Sequence, residues 1–393
     1  MRRTHRVALV AAAATLMITT VGCAEKNDSA STGTSTSTGP ITIGAVLDIT
    51  GAGASLGVPE RQTLELLAKQ LNAAGGINGR EVKLVVEDNQ STEDGAAKAM
   101  NEMVSQKVDI VLGASRTGPS LAMRSIAEST KTPMISLAAN AKIVEGSSWV
   151  FKTAQNDSVV LQNIVDYAKA KGWKKIGLLR DASGFGEGVA EAINELGKAD
   201  GISVVLTEKF APDATDFTAQ MINARNAKAD MNLIWGIPPA AALAQKAYRQ
   251  LGIDTPVMQS HGIGNKVFLD TAGTAGDGLV APLGRLVVAD QLPDGDPQKT
   301  VLTKFVTDYE TAYGERPSTF AGHAYDAFQL AVDAFKAVGT DKQQVRDHLE
   351  QVKDLVGISG VFTMTPTDHS GLSKEALVLV TISAGEWRLV QAK

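Results

Sequence analysis

The stretch VDIVLGASRTGPSLAMRSIAESTKTPMISLAAN (Val108–Asn140) decides the fold. The apolar run Val108–Leu112 stops at Gly113-Ala114, and a small hydroxyl-bearing loop, Ser115-Arg116-Thr117-Gly118, follows. Pro119 then opens a helical pattern, with Leu121, Ala122, Ile126 and Ala127 on one side. Thr132-Pro133 ends it, and a second apolar run, Met134–Leu137, stops at Ala138-Ala139-Asn140. Strand, polar loop, helix, strand, polar loop is the βαβ unit of a parallel sheet. Ligands of such sheets sit beyond the carboxyl ends of the strands, where helix N-termini present N–H groups. Ser, Thr and Gly are also ordinary turn and capping residues, so the loops alone leave a structural role open.

Outward from this unit, the chain describes one pattern twice. The first pass begins ITIGAVLD (Ile41–Asp48) and the Gly-rich loop Thr50–Gly57, with a helix expected from about Pro59 to Asn72. Strand Val82–Glu87, a polar start at Asp88–Asp94 and a helix to Gln106 lead into the opening stretch. The second pass begins KKIGLLRD (Lys174–Asp181), with the Gly-rich loop Ala182–Gly188 and a helix to about Asp200. Strand Ser203–Thr207, the capping signal Asp213–Asp216 and a helix to Lys228 follow. Strand Met231–Trp235 ends in Gly236, Pro239 opens a helix to Leu251, and Thr255-Pro256 introduces a strand that ends at Gln259-Ser260-His261-Gly262. By position, Ala138 matches His261. Two α/β lobes of like topology with a cleft between them are the expectation. The remaining helices (299–313, 319–338 and about 342–352) and strands (360–364, 376–382 and 387–390) require the chain to cross between lobes more than once. Such crossings form a hinge.

Composition bounds the function. The 393 residues are 44% hydrophobic and 21% charged, a globular composition long enough for two domains. A net charge of −5 without a basic stripe argues against nucleic acid as a partner. The one cysteine, Cys23, allows neither a disulfide framework nor a cysteine metal site, and the five histidines include no HExxH pair. No metal and no cofactor are expected. GAGASLG (Gly51–Gly57) is not GxGxxG, and Glu87-Asp88 lies well beyond the roughly 20-residue offset of a ribose partner. GxSxG and Walker A motifs are absent, so no enzyme is expected.

The N-terminus reads as an export signal. Arg2, Arg3 and Arg6 precede the apolar segment Val7–Val21, which is too short for a comfortable membrane span. It ends Thr20-Val21-Gly22-Cys23, which resembles the lipobox of bacterial lipoproteins, although Thr20 stands where Leu is usual. A plain secretory signal with an incidental cysteine is the alternative. On the lipoprotein reading, residues 1–22 are the signal peptide and Cys23 is lipidated. The Ser/Thr/Gly-rich segment 23–40 is then a disordered tether to the membrane.

Several markers together carry a family resemblance: the Ile43-Gly44 strand, LNAAGGINGREVKLVVEDNQSTEDGAAKAMNEMV (Leu71–Val104), FGEG (Phe185–Gly188), Leu279-Val280 and GHAYDAF (Gly322–Phe328). In this order the sequence resembles the branched-chain (hydrophobic) amino-acid substrate-binding proteins of bacterial ABC importers, of the Leu/Ile/Val-binding type, from Ile41 to about Trp387. The resemblance implies an α/β periplasmic-binding-protein type I fold. It implies lobe I from 41–153 plus 285–359, lobe II from 154–284 plus 360–393, and a hinge near Thr153-Ala154, Leu283-Gly284 and Gly360. It implies a monomer that captures a small carboxylate, an amino acid in the first instance, and delivers it to ABC permease and ATPase subunits. The protein would be exported and lipid-anchored, facing a periplasm or the cell exterior.

Carried over by position, Ser115, Thr117, Ala138 and Asn140 hold the ligand carboxylate, in keeping with the affinity of a helix N-terminus for anions. Arg116 reads as an exposed surface arginine. Phe185, where the family often has Tyr, closes over the ligand from lobe II. Trp235 fits either the cleft or the core. Asp157 is a position that can serve a ligand ammonium. His261 stands where amino-acid binders commonly place a glutamate, and an imidazole cannot replace a carboxylate there. A second ligand class follows from the Ser-His-Gly segment: an aromatic carboxylic acid, such as a hydroxycinnamate or benzoate. A loop-stabilising role for His261 and a ligand-sensing role for the whole protein are the remaining alternatives.

Overall fold

A computed structural model describes residues 39–390; Cys23, the segment 1–22 expected to be a signal peptide and nearly all of the expected tether 23–40 lie outside the described residues. In chain order the elements are β1 (Ile41–Leu47), α1 (Ala54–Ala73), β2 (Val82–Asp88), α2 (Glu93–Ser105), β3 (Ile110–Gly113), α3 (Thr117–Thr130), β4 (Met134–Ser136) and β5 (Val150–Lys152). Then come α4 (Asp157–Ala170), β6 (Lys175–Asp181), α5 (Gly184–Asp200), β7 (Ser203–Phe210), α6 (Thr218–Asn226), β8 (Met231–Trp235), α7 (Ala240–Gln250), β9 (Val257–Gln259), α8 (Lys266–Ala272) and β10 (Val280–Gly284). The chain closes with α9 (Lys299–Tyr313), α10 (Thr319–Val338), α11 (Lys342–Leu349), β11 (Leu355–Val356), β12 (Val361–Phe362), β13 (Leu377–Ser383) and β14 (Glu386–Leu389).

Two sheets organise these elements. The first has the parallel order β2-β1-β3-β4-β5. The second runs β7-β6-β8-β9-β10 in parallel and is extended by β13, antiparallel to β10, and by β14, antiparallel to β13. The repeated strand order is the physical content of the repeat read from the sequence. The inner strands of each sheet are covered on both faces and are buried along most of their length, whereas the edge strand β7 alternates between exposed and half-buried residues. Ile43, Ala45 and Leu47 of β1 pack with Leu64 of α1 and Phe328 and Phe335 of α10, while Val46 joins Met100 of α2 and Met123 of α3. In the second sheet Ile176 and Leu178 meet α4 and α5, and Leu179 meets Phe217, Met221 and Tyr248.

Three local details differ from the sequence expectation. Helix α1 starts at Ala54 and carries Pro59 inside it. Proline frees the carbonyl four residues back; that carbonyl, Ser55 O, accepts from Asn265 Nδ2 at 3.4 Å. Helix α3 starts at Thr117, two residues before Pro119. Residues 361–376 pack on the first sheet: Phe362, Met364, Leu372 and Ala376 belong to its core, and His369 stacks on Phe151 at 4.1 Å. The chain therefore re-enters the second sheet at Leu377, not at Gly360.

Candidate functional site

A parallel sheet parts its loops where the strand order reverses, here between β1 and β3 and between β6 and β8. These two switch points bound one cavity of about 230 Å³. On the first side Gly113 ends β3 at φ +124°, and a Cβ there would stand 2.0 Å from Val46 O, so only glycine permits the turn. The chain then enters α3, whose preceding residue, Arg116, makes no side-chain cap. The N–H groups of Thr117 and Gly118 have no intrahelical acceptor, and both residues line the cavity.

This loop is braced from behind. The Ser115 hydroxyl accepts from Asp48 N at 3.0 Å and donates to the Glu60 carboxylate. Arg116 is largely buried and ion-pairs with Asp48, which also accepts from Asn89 Nδ2 at 2.7 Å. A second Arg116 nitrogen donates to Ser91 O. Burial pushes the Glu60 carboxyl well above its usual range, against the Ser115 hydrogen bond and with the help of nearby Asp48. Arg116 is thus not the surface residue expected from sequence: it lines the cavity with its charge already partnered.

The opposite side is aromatic. Phe185 packs on Trp235 at 5.2 Å and on His261 at 5.5 Å, and Trp235 meets His261 at 5.7 Å. Phe185, Ile237, His261 and Gly262 line the cavity, while Trp235 is wholly buried behind them. Burial depresses His261 to about 3, with lesser contributions from His323 and Lys152, so its imidazole is neutral. Asp181 ends β6 at the cavity and accepts from Ser183 Oγ, Ser183 N and Gly186 N.

Four of the eight residues carried over by position, Thr117, Ala138, Phe185 and His261, line the cavity with groups not already described as braced, and Ser115 lines it with its hydroxyl spent on Glu60. Asn140 does not line it: Oδ1 accepts from Lys142 N and Nδ2 donates to Gly184 O at 3.0 Å, which ties the loop after β4 to the start of α5. Gly188 allows that approach, since a Cβ there would lie 2.3 Å from Asn140 Nδ2. Asp157 is also outside the lining. Its carboxyl is buried without a hydrogen-bond partner, and burial raises its pKa while lowering that of Lys152 nearby. Lys152 in turn holds the carbonyl of Ala139 at 2.6 Å.

Sequence reasoning missed His323 and Phe320 of α10, which line the cavity from the hinge side. The segment GHAYDAF marked the family, but its apolar helical setting gave no sign that one face meets the cleft. Among the described residues no cluster of His, Cys, Asp and Glu suits a metal ion.

The fold and cavity define a two-lobed α/β ligand-binding protein. Residues 40–386 match the periplasmic binding protein family, and the chain belongs to that family, with its type I fold. Its relatives include the leucine-, isoleucine-, valine-, threonine- and alanine-binding protein of Pseudomonas aeruginosa, 26% identical over 77% of this chain and 79% of that protein. Among solved structures, an extracellular ligand-binding receptor from Rhodopseudomonas palustris HaA2 is 29% identical, with a TM-score of 0.84 over 89% of this chain and 99% of its own. The branched-chain amino acid transporter substrate-binding protein of Streptococcus pneumoniae, solved with isoleucine, is 26% identical, with a TM-score of 0.77 over 88% of this chain and 97% of its own.

Proposed function

We propose that this protein is the extracytoplasmic solute-binding component of an ABC importer and that its solute is a small carboxylate with an aromatic body. The observation that carries this reading is the uncapped start of α3 facing a wall of Phe185, Ile237 and a neutral His261 across one cavity. The carboxylate accepts from the N–H groups of Thr117 and Gly118 and from the Thr117 hydroxyl, and the helix dipole favours its charge. The ring lies against Phe185. An ammonium group finds little on the His261 side, because Asp157 stands outside the cavity lining and an imidazole offers no negative charge.

The amino-acid reading keeps two supports: Asp181 and Glu93 line the cavity, and relatives of this chain are named for branched-chain amino acids. In either case the lobes close about crossings at Thr153-Ala154, Gly284-Arg285 and Ala376-Leu377. Cys23 carries the lipid anchor, the tether leads to the folded body, and a monomer hands the solute to permease and ATPase subunits.

Thermal-shift measurements against benzoates, hydroxycinnamates and aliphatic amino acids decide the class. Ligand at about a hundred times Kd adds about 2.7 kcal/mol to stability. A rise in melting temperature with leucine and none with any aromatic acid would reverse the ligand assignment. No shift with any of them, and no ligand in the purified protein by mass spectrometry, would remove both.

A further inference from the structure

Two asparagines reach across the cleft in the same way, one from each half of the molecule. Asn140 follows β4 of the first sheet, and its Nδ2 donates to Gly184 O at the start of α5, 3.0 Å away. Asn265 follows β9 of the second sheet, and its Nδ2 donates to Ser55 O at the start of α1, 3.4 Å away. Each contact therefore runs from the loop after the fourth strand of one half to the helix after the first strand of the other.

The other end of each amide fixes its orientation. Asn140 Oδ1 accepts from Lys142 N, and Asn265 Oδ1 accepts from Phe268 N, both at 2.9 Å. A backbone N–H only donates and a backbone carbonyl only accepts, so in both residues the amide nitrogen faces the opposite half. The acceptors are prepared for it. Ser55 O has no donor within its helix, because Pro59 lacks an N–H. The Ser55 hydroxyl adds a second bond across the cleft, to Pro238 O at 3.1 Å. On the other side Gly188 leaves room for the Asn140 amide, since a Cβ there would stand 2.3 Å from Nδ2.

Neither asparagine lines the ligand cavity, but the contacts border on it: Gly184 lines it beside Asn140, and Leu56 lines it beside Ser55. Ser55, Pro238 and Asn265 instead line a second cavity of about 580 Å³, where Asp213, Lys266 and Glu315 are exposed. The Ser55 contacts thus stand between the ligand cavity and the outer one.

We infer that Asn140 and Asn265 are a reciprocal pair of clasps that hold the two halves closed over the ligand without touching it. They are positioning residues, and their contribution does not depend on the ligand's side chain. A ligand that binds the closed form has its affinity scaled by the fraction of molecules able to close, so cutting a clasp weakens every ligand by the same factor. The inference rests on capture between the two halves and is independent of the aromatic class proposed above. A third contact between the halves, the Lys142–Glu191 ion pair, is exposed on both partners and adds little.

The first test needs no ligand. Lys142→Cys and Glu191→Cys put thiols on the exposed pair that spans the cleft, with Cys23→Ser to remove the one native cysteine. A short thiol crosslinker then joins the halves only in closed molecules, however few. Asn265→Ser keeps a hydroxyl to cap Phe268 N but is too short to reach Ser55 O. It should slow crosslinking roughly two- to tenfold, the worth of one hydrogen bond, while urea denaturation stays near the parent's. An unchanged rate overturns the clasp, as does a slower rate that only follows lost stability. The second test is calorimetry with benzoate, 4-hydroxycinnamate and leucine. Asn140→Ser and Asn265→Ser should each weaken every one of these that the parent binds, by a common factor of roughly two to ten. A loss that differs from one acid to the next makes the asparagine a ligand contact and overturns the clasp. If the parent binds none of the three, the carboxylate reading fails, and the crosslinking rate alone decides the clasp.

Discussion

The two sides of the cavity are built on opposite plans. At the start of α3 nearly every side-chain valence is spent within the protein: Ser115 on Asp48 and Glu60, Arg116 on Asp48 and Ser91. What remains for a ligand is the Thr117 hydroxyl and backbone N–H groups fixed by that scaffold. Around β8 and β9 the polar atoms are left over instead. Trp235 Nε1 and His261 Nδ1 are buried without partners among Phe185 and its neighbours. A charged group common to many ligands suits a rigid, satisfied frame, because nothing needs to move when it binds. Discrimination between ligands suits the other plan, because a wall of Phe185, Ile237 and a neutral His261 rewards a ligand whose body fits it and offers no negative charge to an ammonium.

The comparison can be broken in several ways. Asp48→Ala should have the largest effect. It strips Arg116 and Asn89 of their buried acceptor, and breaking such a pair costs about 3–5 kcal/mol; urea denaturation measures it. A loss of a few tenths would mean that the frame is not held by this ion pair. Thr117→Ala removes one hydrogen bond to a charged group, and affinity for a carboxylate should fall by about 1.5–3 kcal/mol in calorimetry, with stability little altered. Unchanged affinity would take Thr117 out of the site.

The pH dependence sharpens the contrast, because Glu60 behind one side and His261 on the other titrate with opposite sign. Burial raises Glu60, so the folded protein keeps a proton that the unfolded chain releases above the ordinary glutamate value of 4.5. The penalty grows as pH rises above that value, and Glu60→Gln should gain on the parent in that direction. Burial lowers His261 from 6.5 to about 3, so below 6.5 the unfolded chain takes up a proton that the folded protein refuses. Stability is lost as pH falls from 6.5 towards 3, and His261→Phe should gain on the parent as pH falls. Each slope approaches about 1.4 kcal/mol per pH unit at most. Urea melts at pH 5, 6 and 7 read both; parallel slopes would erase the distinction between the sides. The smallest effect belongs to Lys142→Ala. Its ion pair with Glu191 is exposed on both partners, so the melting temperature should not move measurably.

Much of the fold was legible because its signals are local. Helices 299–313 and 319–338 stand where they were expected: α9 buries Leu302, Phe305, Val306 and Tyr309 and stops at Gly314, while α10, capped by Ser318 and closed by Gly339, is apolar and buried on most sides. Strand β5 and helix α4 were not assigned from sequence: β5 is three residues long, and its identity comes from its pairing with β4. The crossing expected at Gly360 failed for a related reason. The segment after it is held by Phe151 and the first core, contacts that lie far back in the chain.

By itself the sequence determined the twofold pass and the loops that gather at the strand ends, because strand and helix periods fix which loops point the same way; Thr117, Phe185 and His261 followed from the family resemblance, and all three line the cavity. Only the tertiary structure decided which polar atoms stay free. Ser115 is spent on a glutamate 55 positions earlier. Asn140 is spent on the facing lobe, Asp157 is sealed behind the wall, and His323 is carried into the cleft by a helix that follows both sheets' parallel strands. Hydrogen-bond satisfaction is settled between distant segments, and a one-dimensional pattern does not contain those distances.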